Sequence, residues 1–570
     1  MSVILPTLLC FAAYALAYRF YALFLSRRIF ELRPEVPTPA HALEDGVDYV
    51  PTRRPVVFGH HFASITGLAP MLGPAVAVIW GWLPAMLWVV CGAVLVGCVH
   101  DFSALVVSLR GRGMSIGKVA EGIIGPRAKV LFLLVIFFGV GLAMGVFVFV
   151  IARLFSLQID AATPGYPSAV TPSAGLMFVA VAVGYGLYRK GLPLAPLATA
   201  GFLVGLVLIW VGYLFPTAGL PAAAWPAGAT WIAILLGYAF LASVLPVWVL
   251  LQARDFINSL LLYLGLIAAY VGLFVVAPSF QAPPVRTEVA GAPSMLPFVF
   301  IIIACGAASG FHGLVASGTT AKQLDRETDA RPVAYGGMVA ESLLALLAVV
   351  ATTAGFSSAD AWKTRYADWG SAQDLAGNLS AFIGGTARFI EGLGVNHGLA
   401  AAFVAVVVVS FALTTLDSAT RLLRYNVEEL AATVGLRLNR YASSVAAVGV
   451  IALFAFYKVD GQPAALALWT LFGTTNQLLA GLTLLAVTVY LRQRGKPVLF
   501  TGLPALFMLG STLTAMTSNL WTFAGGEQIR WLLLVVGGIL WVLGVWIVLE
   551  GVLALLQVRR AAGPEIPIRP

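Results

Sequence analysis

Gly59-His60-His61-Phe62-Ala63-Ser64-Ile65-Thr66-Gly67-Leu68-Ala69-Pro70-Met71-Leu72-Gly73-Pro74 is an apolar stretch that cannot form one unbroken helix. Pro70 and Pro74 each lack a backbone donor and clash with the preceding turn. Gly67 and Gly73 permit dihedrals closed to other residues. The interruption lies near the middle of a segment, 58–80, that is long enough to cross a bilayer, since a crossing takes roughly 20 apolar residues. Lipid offers no water to unpaired backbone groups, so such a break must be packed in protein or line a wet cavity. Interrupted helices at mid-membrane are the best sequence pointer to a transport site.

The composition agrees. Of 570 residues, 60% are hydrophobic and 10% charged, with a mean hydropathy of +0.93. Soluble proteins carry about 25% charged residues, so lipid is the expected solvent. Applying the crossing length gives spans at 2–25, 58–80, 83–108, 129–152, 173–188, 194–215, 228–251, 256–277, 296–318, 332–354, 397–420, 441–457, 463–490, 498–518 and 531–556. The fold class expected is all-α and polytopic, with about 15 transmembrane helices. The N-terminus, MSVILPTLLC, reads as a retained first helix rather than a signal peptide.

The net charge of +9 does not point to nucleic acid. Of the 34 Lys and Arg, 26 fall in alternate loops, 7 in the opposite loops, and Arg19 in the first span. The positive-inside rule then puts the N-terminus in the periplasm and the C-terminus in the cytoplasm. Cys10, Cys91, Cys98 and Cys305 all sit in apolar segments and read as reduced small hydrophobes.

Two loops have shape. In 114–124, Met114, Ile116, Val119, Ala120, Ile123 and Ile124 share a helical face, which predicts a short amphipathic helix on the cytoplasmic membrane surface. The segment 355–396, with Trp362 and Trp369, is too polar to cross and predicts an external loop or lid.

A softer disruption, Ser243-Val244-Leu245-Pro246, falls in span seven, five spans after the first and running the other way. The pair predicts a five-plus-five inverted repeat with discontinuous helices. Residues 58–215 form the first repeat and 216–425 the second, with a first helix and loop (1–57) and C-terminal helices (426–570) at the periphery. Span nine centres on Ala304-Cys305-Gly306-Ala307-Ala308-Ser309-Gly310-Phe311-His312-Gly313, small residues that allow close helix approach.

Ionisable residues within spans are costly and usually functional. Here they are His60 and His61, His100 and Asp101, His312, Glu341, and Asp417. Asp417 has an ordinary partner in reach, Arg421 one turn on. Glu341 has none and needs one on another helix. His60 and His61 point about 100° apart, so both cannot face one ligand on a regular helix. Histidine titrates near neutrality, which suits proton coupling. The substrate is expected at Ser64, Thr66, Gly67, Ser243, Pro246, Asp101 and Glu341. The coupling ion or proton is expected at His60, His61, His100, Asp101, Ser309, His312 and Asp417, and Asn476 and Gln477 add hydrogen bonds or helix packing. No catalytic residue, metal or cofactor is expected. Gly111–Lys118 has the wrong glycine spacing for a phosphate loop, and Val119 replaces its Ser/Thr. An intramembrane hydrolase built on Ser309 and His312 lacks an oxyanion hole, and a passive channel leaves the ionisable groups unexplained.

The stretches GHHFASITGLAPMLGPAVAVIWGWLPA (59–85) and HDFSALVVSLRGRGMSIGKVAEGIIG (100–125) resemble the carbon starvation protein A family. So do LLQARDFINS (250–259), SGTTAKQL (317–324), TTLDSATRLLRY (414–425) and LWTLFGTTNQLLAGL (468–482). The resemblance implies a bacterial inner-membrane importer induced on carbon starvation as part of a stress response. It also implies a LeuT-like fold shared with the amino acid–polyamine–organocation superfamily. Peptides are the expected substrate and proton-coupled pyruvate symport is the alternative, with protons or sodium as coupling ion.

Overall fold

A computed structural model describes every residue except 160–163, 247–248, 250, 373–374, 457, 460–461, 464–468, 526–529 and 558–570. Apart from one ladder of two-residue strands, Lys458–Val459 with Gln462–Pro463, and three isolated bridges, the described secondary structure is helical. Eleven described helices are long and apolar enough to cross a membrane, and Arg54–Ile65 with Ala69–Trp80 adds a span bent by 46°. The other three of the expected 15 are not continuous helices of that length. Gly228–Val244 and Arg440–Phe456 have 17 residues each, and span nine is split into Met295–Ile302 and Gly310–Gly318.

The first break falls at Thr66–Leu68, one turn before Pro70. Pro70 is thereby placed in the first turn of the new helix, where a missing N–H costs nothing. Pro74 is accommodated inside that second half. The second break, at Ile303–Ser309, corrects the expectation of one at Ser243–Pro246. Helix Gly228–Val244 simply ends there, with Leu245 extended and Pro246 beyond it. Gly306 holds a left-handed φ of +88°, and a Cβ there would strike Ala345 and come within 3.5 Å of the Pro70 ring. Gly73 lies against the Ile302 carbonyl. The two breaks therefore pack on one another, and small residues permit it.

Burial separates frame from periphery. The helix Leu471–Gln493 is wholly enclosed by protein in its most apolar window, and His397–Thr433, Glu327–Ala354 and Pro126–Phe155 are mostly enclosed. Leu194–Leu214, Leu533–Leu556 and Ile4–Ile29 expose most of that window. Span thirteen, expected at the periphery, is enclosed by other helices, and Pro167–Leu187 packs against the more exposed Leu194–Leu214.

The short helix Ile116–Ile123 forms as expected, capped by Ser115, whose hydroxyl accepts from the Lys118 N–H. Its apolar face is covered by the helix Pro126–Phe155 rather than by lipid, because Gly117 lets Leu133 approach. Segment 355–396 holds Ala359–Arg365, Trp369–Ala372 and Leu375–Glu391, with Trp362 buried and Trp369 against Trp80 at 5.3 Å. Cys10, Cys98 and Cys305 are buried free thiols, and Cys91 is exposed.

Candidate functional site

A narrow chamber sits where the two breaks meet. Ile65, Gly67 and Ala69 contribute from the first, Cys305, Phe311 and Leu314 from the second. Its other walls come from Phe147 and Met144 of Pro126–Phe155, Thr415 of His397–Thr433, and Phe472, Thr475, Asn476 and Leu479 of the enclosed helix. Its volume of about 30 Å³ holds roughly two waters. Gly67 is required there, since a Cβ would lie 2.7 Å from the Phe147 ring and 3.1 Å from Thr415 Oγ1.

Larger cavities lie on either side. One, of about 500 Å³, is lined by Trp369, Gly291, Asn519 and Arg530 and shares Ala69 and Phe472 with the chamber. The other, of about 290 Å³, is lined by Ser115, Lys322, Tyr425 and Glu429 and shares Ile136 and Leu314 with it. Burial pushes the Lys322 ammonium below the ordinary lysine range, and its Nζ lies 4.5 Å from the Tyr425 ring centre. On this side Tyr425 donates to Asp48 at 2.6 Å and Arg421 approaches Asp48 at 3.7 Å, fastening the loop before the first broken helix to His397–Thr433.

Two fully buried ionisable clusters flank the chamber. In one, His312 Nδ1 lies 2.9 Å from Asp101 and His312 Nε2 lies 3.0 Å from Glu341, off the line of a hydrogen bond. His100 Nδ1 joins Asp101 at 2.8 Å. This cluster ties the second broken helix to Trp82–Arg110 and Glu327–Ala354. Glu341 thus finds its partner on another helix. Cys305, His312 and Glu341 bring ligand-type atoms within 4.8 Å of one another. They would be the residues to hold a metal, though three donors are one short of a tetrahedral structural site.

In the other cluster, His60 Nδ1 lies 2.7 Å from Asp255, Arg254 lies 3.3 Å from Asp255 and 2.5 Å from Asp417, and Tyr238 donates to Asp417 at 2.5 Å. Ser64 meets Ser418 at 2.9 Å and Asp255 at 3.5 Å. The i,i+4 pairing of Asp417 with Arg421 is not made. Arg421 instead donates to the Ala242 carbonyl at 2.8 Å and to that of Leu245, capping the end of Gly228–Val244.

Of the expected substrate residues, Gly67 alone lines the chamber. Thr66 is adjacent and buried, with no partner for its hydroxyl, and Ser64 sits in the Asp255 cluster. Asp101 and Glu341 lie behind the chamber wall in the His312 cluster. Ser243 is away from it, bonded to the Phe240 carbonyl and to Ser444 at 3.0 Å, and Pro246 does not line it. His60 and His61 diverge as helix geometry requires, His61 reaching Thr320 at 2.9 Å. Ser309 bonds Asn476 at 3.1 Å and Cys305 at 3.2 Å, so it does not pair with His312. Asn476 also accepts from the Phe311 N–H at the start of Gly310–Gly318, which makes it a chamber residue rather than packing alone. Sequence reasoning missed Arg254, Asp255 and Tyr238. The signal was an adjacent Arg-Asp pair at the edge of span eight, in a stretch already noted for resemblance.

A family model described as "Carbon starvation protein CstA" matches residues 2–359 and 357–515. The peptide transporter CstA of Helicobacter pylori is 33% identical over 566 residues, covering 88% of this chain and 79% of that one. The pyruvate/proton symporter BtsT of Escherichia coli is 30% identical over 592 residues, covering 90% and 81%. Among solved structures, a manganese transporter mutant from Eremococcus coleocola superposes with a TM-score of 0.47 at 12% identity, covering 90% of this chain and 99% of that one. With a match along most of its length, this multi-pass membrane chain belongs to the carbon starvation protein CstA family, a family of transporters and not of enzymes.

Proposed function

We propose that the protein is a secondary active transporter of the bacterial inner membrane that imports short peptides during carbon starvation, coupled to protons. The observation that carries this reading is the chamber at the paired breaks, which shares Ala69 and Phe472 with one wider cavity and Ile136 and Leu314 with another. Walls shared in this way suit alternating access, in which either side opens in turn. Basic loops put the Lys322 cavity in the cytoplasm and the Trp369 cavity in the periplasm. The chamber is narrow and must widen around a substrate.

The helices starting at Ala69 and Gly310 direct the positive ends of their dipoles toward this region, which favours a carboxylate. Phe147, Phe311 and Phe472 would take apolar side chains, and Thr415, Thr475 and Asn476 the peptide bond. A second reading, uptake of pyruvate with a proton, is favoured by the small chamber and the name of the Escherichia coli relative.

The inverted repeat is better drawn from the two observed breaks. One half runs from Arg54 to Val276 and the other from Met295 to Gln493, with the hairpin 167–214 inserted in the first. Each half then reads broken helix, long helix, short helical insert, long helix, 17-residue helix, long helix. Proteoliposome uptake of labelled dialanine and pyruvate, with and without an imposed pH gradient, tests the function. Gradient-driven accumulation of dialanine supports peptide import. Accumulation of pyruvate alone selects the second reading, and non-saturable flux of both would indicate a channel.

A further inference from the structure

The charges of the Asp255 cluster do not balance, an inference that rests on the proton coupling proposed above. Asp255 and Asp417 bring two negative charges, and Arg254 brings one positive charge. Arg421 is spent on the carbonyls of Ala242 and Leu245 and on Asp48. Tyr238 from Gly228–Val244 donates a hydrogen bond to Asp417, and Ser64 and Ser418 supply neutral hydroxyls. The remaining titratable group from the helices packed here is His60, on the first broken helix. With His60 neutral the cluster carries one uncompensated negative charge, and Asp255 and His60 have no solvent exposure. A lone buried charge is far costlier than a paired one. One monovalent cation closes the balance.

We propose that His60, Asp255, Arg254 and Asp417 form the binding site of the coupling proton, with Arg254 as a built-in cation that sets its capacity at one. His60 directs Nδ1 at Asp255 and leaves Nε2 without a partner, and Asp417 Oδ1 is likewise unpaired. The proton binds at His60 Nε2, turning the His60–Asp255 hydrogen bond into an ion pair, and is released from the same atom; no bond to substrate forms or breaks. The ion pair fastens the inner half of the first broken helix to Leu251–Val276, and loss of the proton loosens it. Proton occupancy is thereby linked to the position of the half-helix whose end, Ile65 and Gly67, lines the chamber.

The test compares wild type with His60→Gln, Asp255→Asn and Arg254→Gln in proteoliposomes, using labelled dialanine, or pyruvate if wild type carries only that. Two assays are run: accumulation driven by a pH gradient, and counterflow at equal pH. His60→Gln and Asp255→Asn are expected to lose gradient-driven accumulation by at least about tenfold, and by more than they lose counterflow. Arg254→Gln leaves two carboxylates and is expected to accumulate substrate in response to a sodium gradient. Equal gradient responses in wild type and both neutralised variants would overturn the proposal while leaving proton coupling intact. A wild type indifferent to the gradient would instead overturn the coupling itself. Should the variants fail in counterflow too, the proton count per substrate in wild type decides: one supports the proposal, and two or more refute it.

Discussion

Gly306 of the second broken helix faces Pro70 of the first, so close that a Cβ on Gly306 would stand 3.5 Å from the proline ring and would overlap Ala345. The contact joins the two discontinuities into one structural unit, because neither helix can resume its course without displacing the other. A left-handed residue other than glycine costs about 1–2 kcal/mol even without a clash. Gly306→Ala is therefore expected to lower the melting temperature of the detergent-purified protein and to reduce uptake. An unchanged melting curve with full uptake would mean that the breaks do not constrain each other.

His312 stands between Asp101 and Glu341, two carboxylates with no solvent exposure. Removing the imidazole strands Glu341 and leaves Asp101 with His100 alone, and breaking a buried pair of this kind costs about 3–5 kcal/mol. His312→Gln should abolish uptake and destabilise the protein, and His312→Gln with Glu341→Gln should recover part of the stability because one stranded charge is gone. Thermal unfolding of both variants measures the difference.

Asp48 fastens the loop before the first broken helix through Tyr425 and Arg421. Asp48→Asn and Tyr425→Phe should weaken the cytoplasmic seal and favour inward-open molecules. Alkylation of Leu314→Cys from the cytoplasmic side, measured in inside-out vesicles, is expected to speed up severalfold in either background. Equal rates would place the seal elsewhere.

Ser243 gives the opposite expectation. Its hydroxyl bonds Ser444 and the Phe240 carbonyl and does not line the chamber. Ser243→Ala should shift the KM for uptake by less than about twofold, because a residue that touches no substrate removes no binding energy. A tenfold rise would restore this residue to the substrate site.

The first break was legible because Gly67, Pro70 and Pro74 act locally, through backbone chemistry that any sequence displays. The second was misplaced because Pro246 signals a helix end as readily as a kink. The real break depends on Gly306, whose φ is demanded by the neighbouring Ala345 and Pro70, and that is a tertiary fact. Hydropathy located nearly every helix but could not rank them. Leu471–Gln493 has lower hydropathy than Leu533–Leu556, yet it is the enclosed one. The ionisable residues were found singly, and their pairings were not. Asp101 with His312 and His60 with Asp255 lie 211 and 195 residues apart, beyond any spacing rule.

The central claim is that substrate occupies the chamber between the two breaks, and native Cys305 reports on it directly because it lines that chamber. In a chain carrying Cys10→Ala, Cys91→Ala and Cys98→Ala, the rate of Cys305 alkylation should fall at least about fivefold at saturating dialanine or pyruvate. Full transport activity with an alkylation rate indifferent to either substrate would contradict the account.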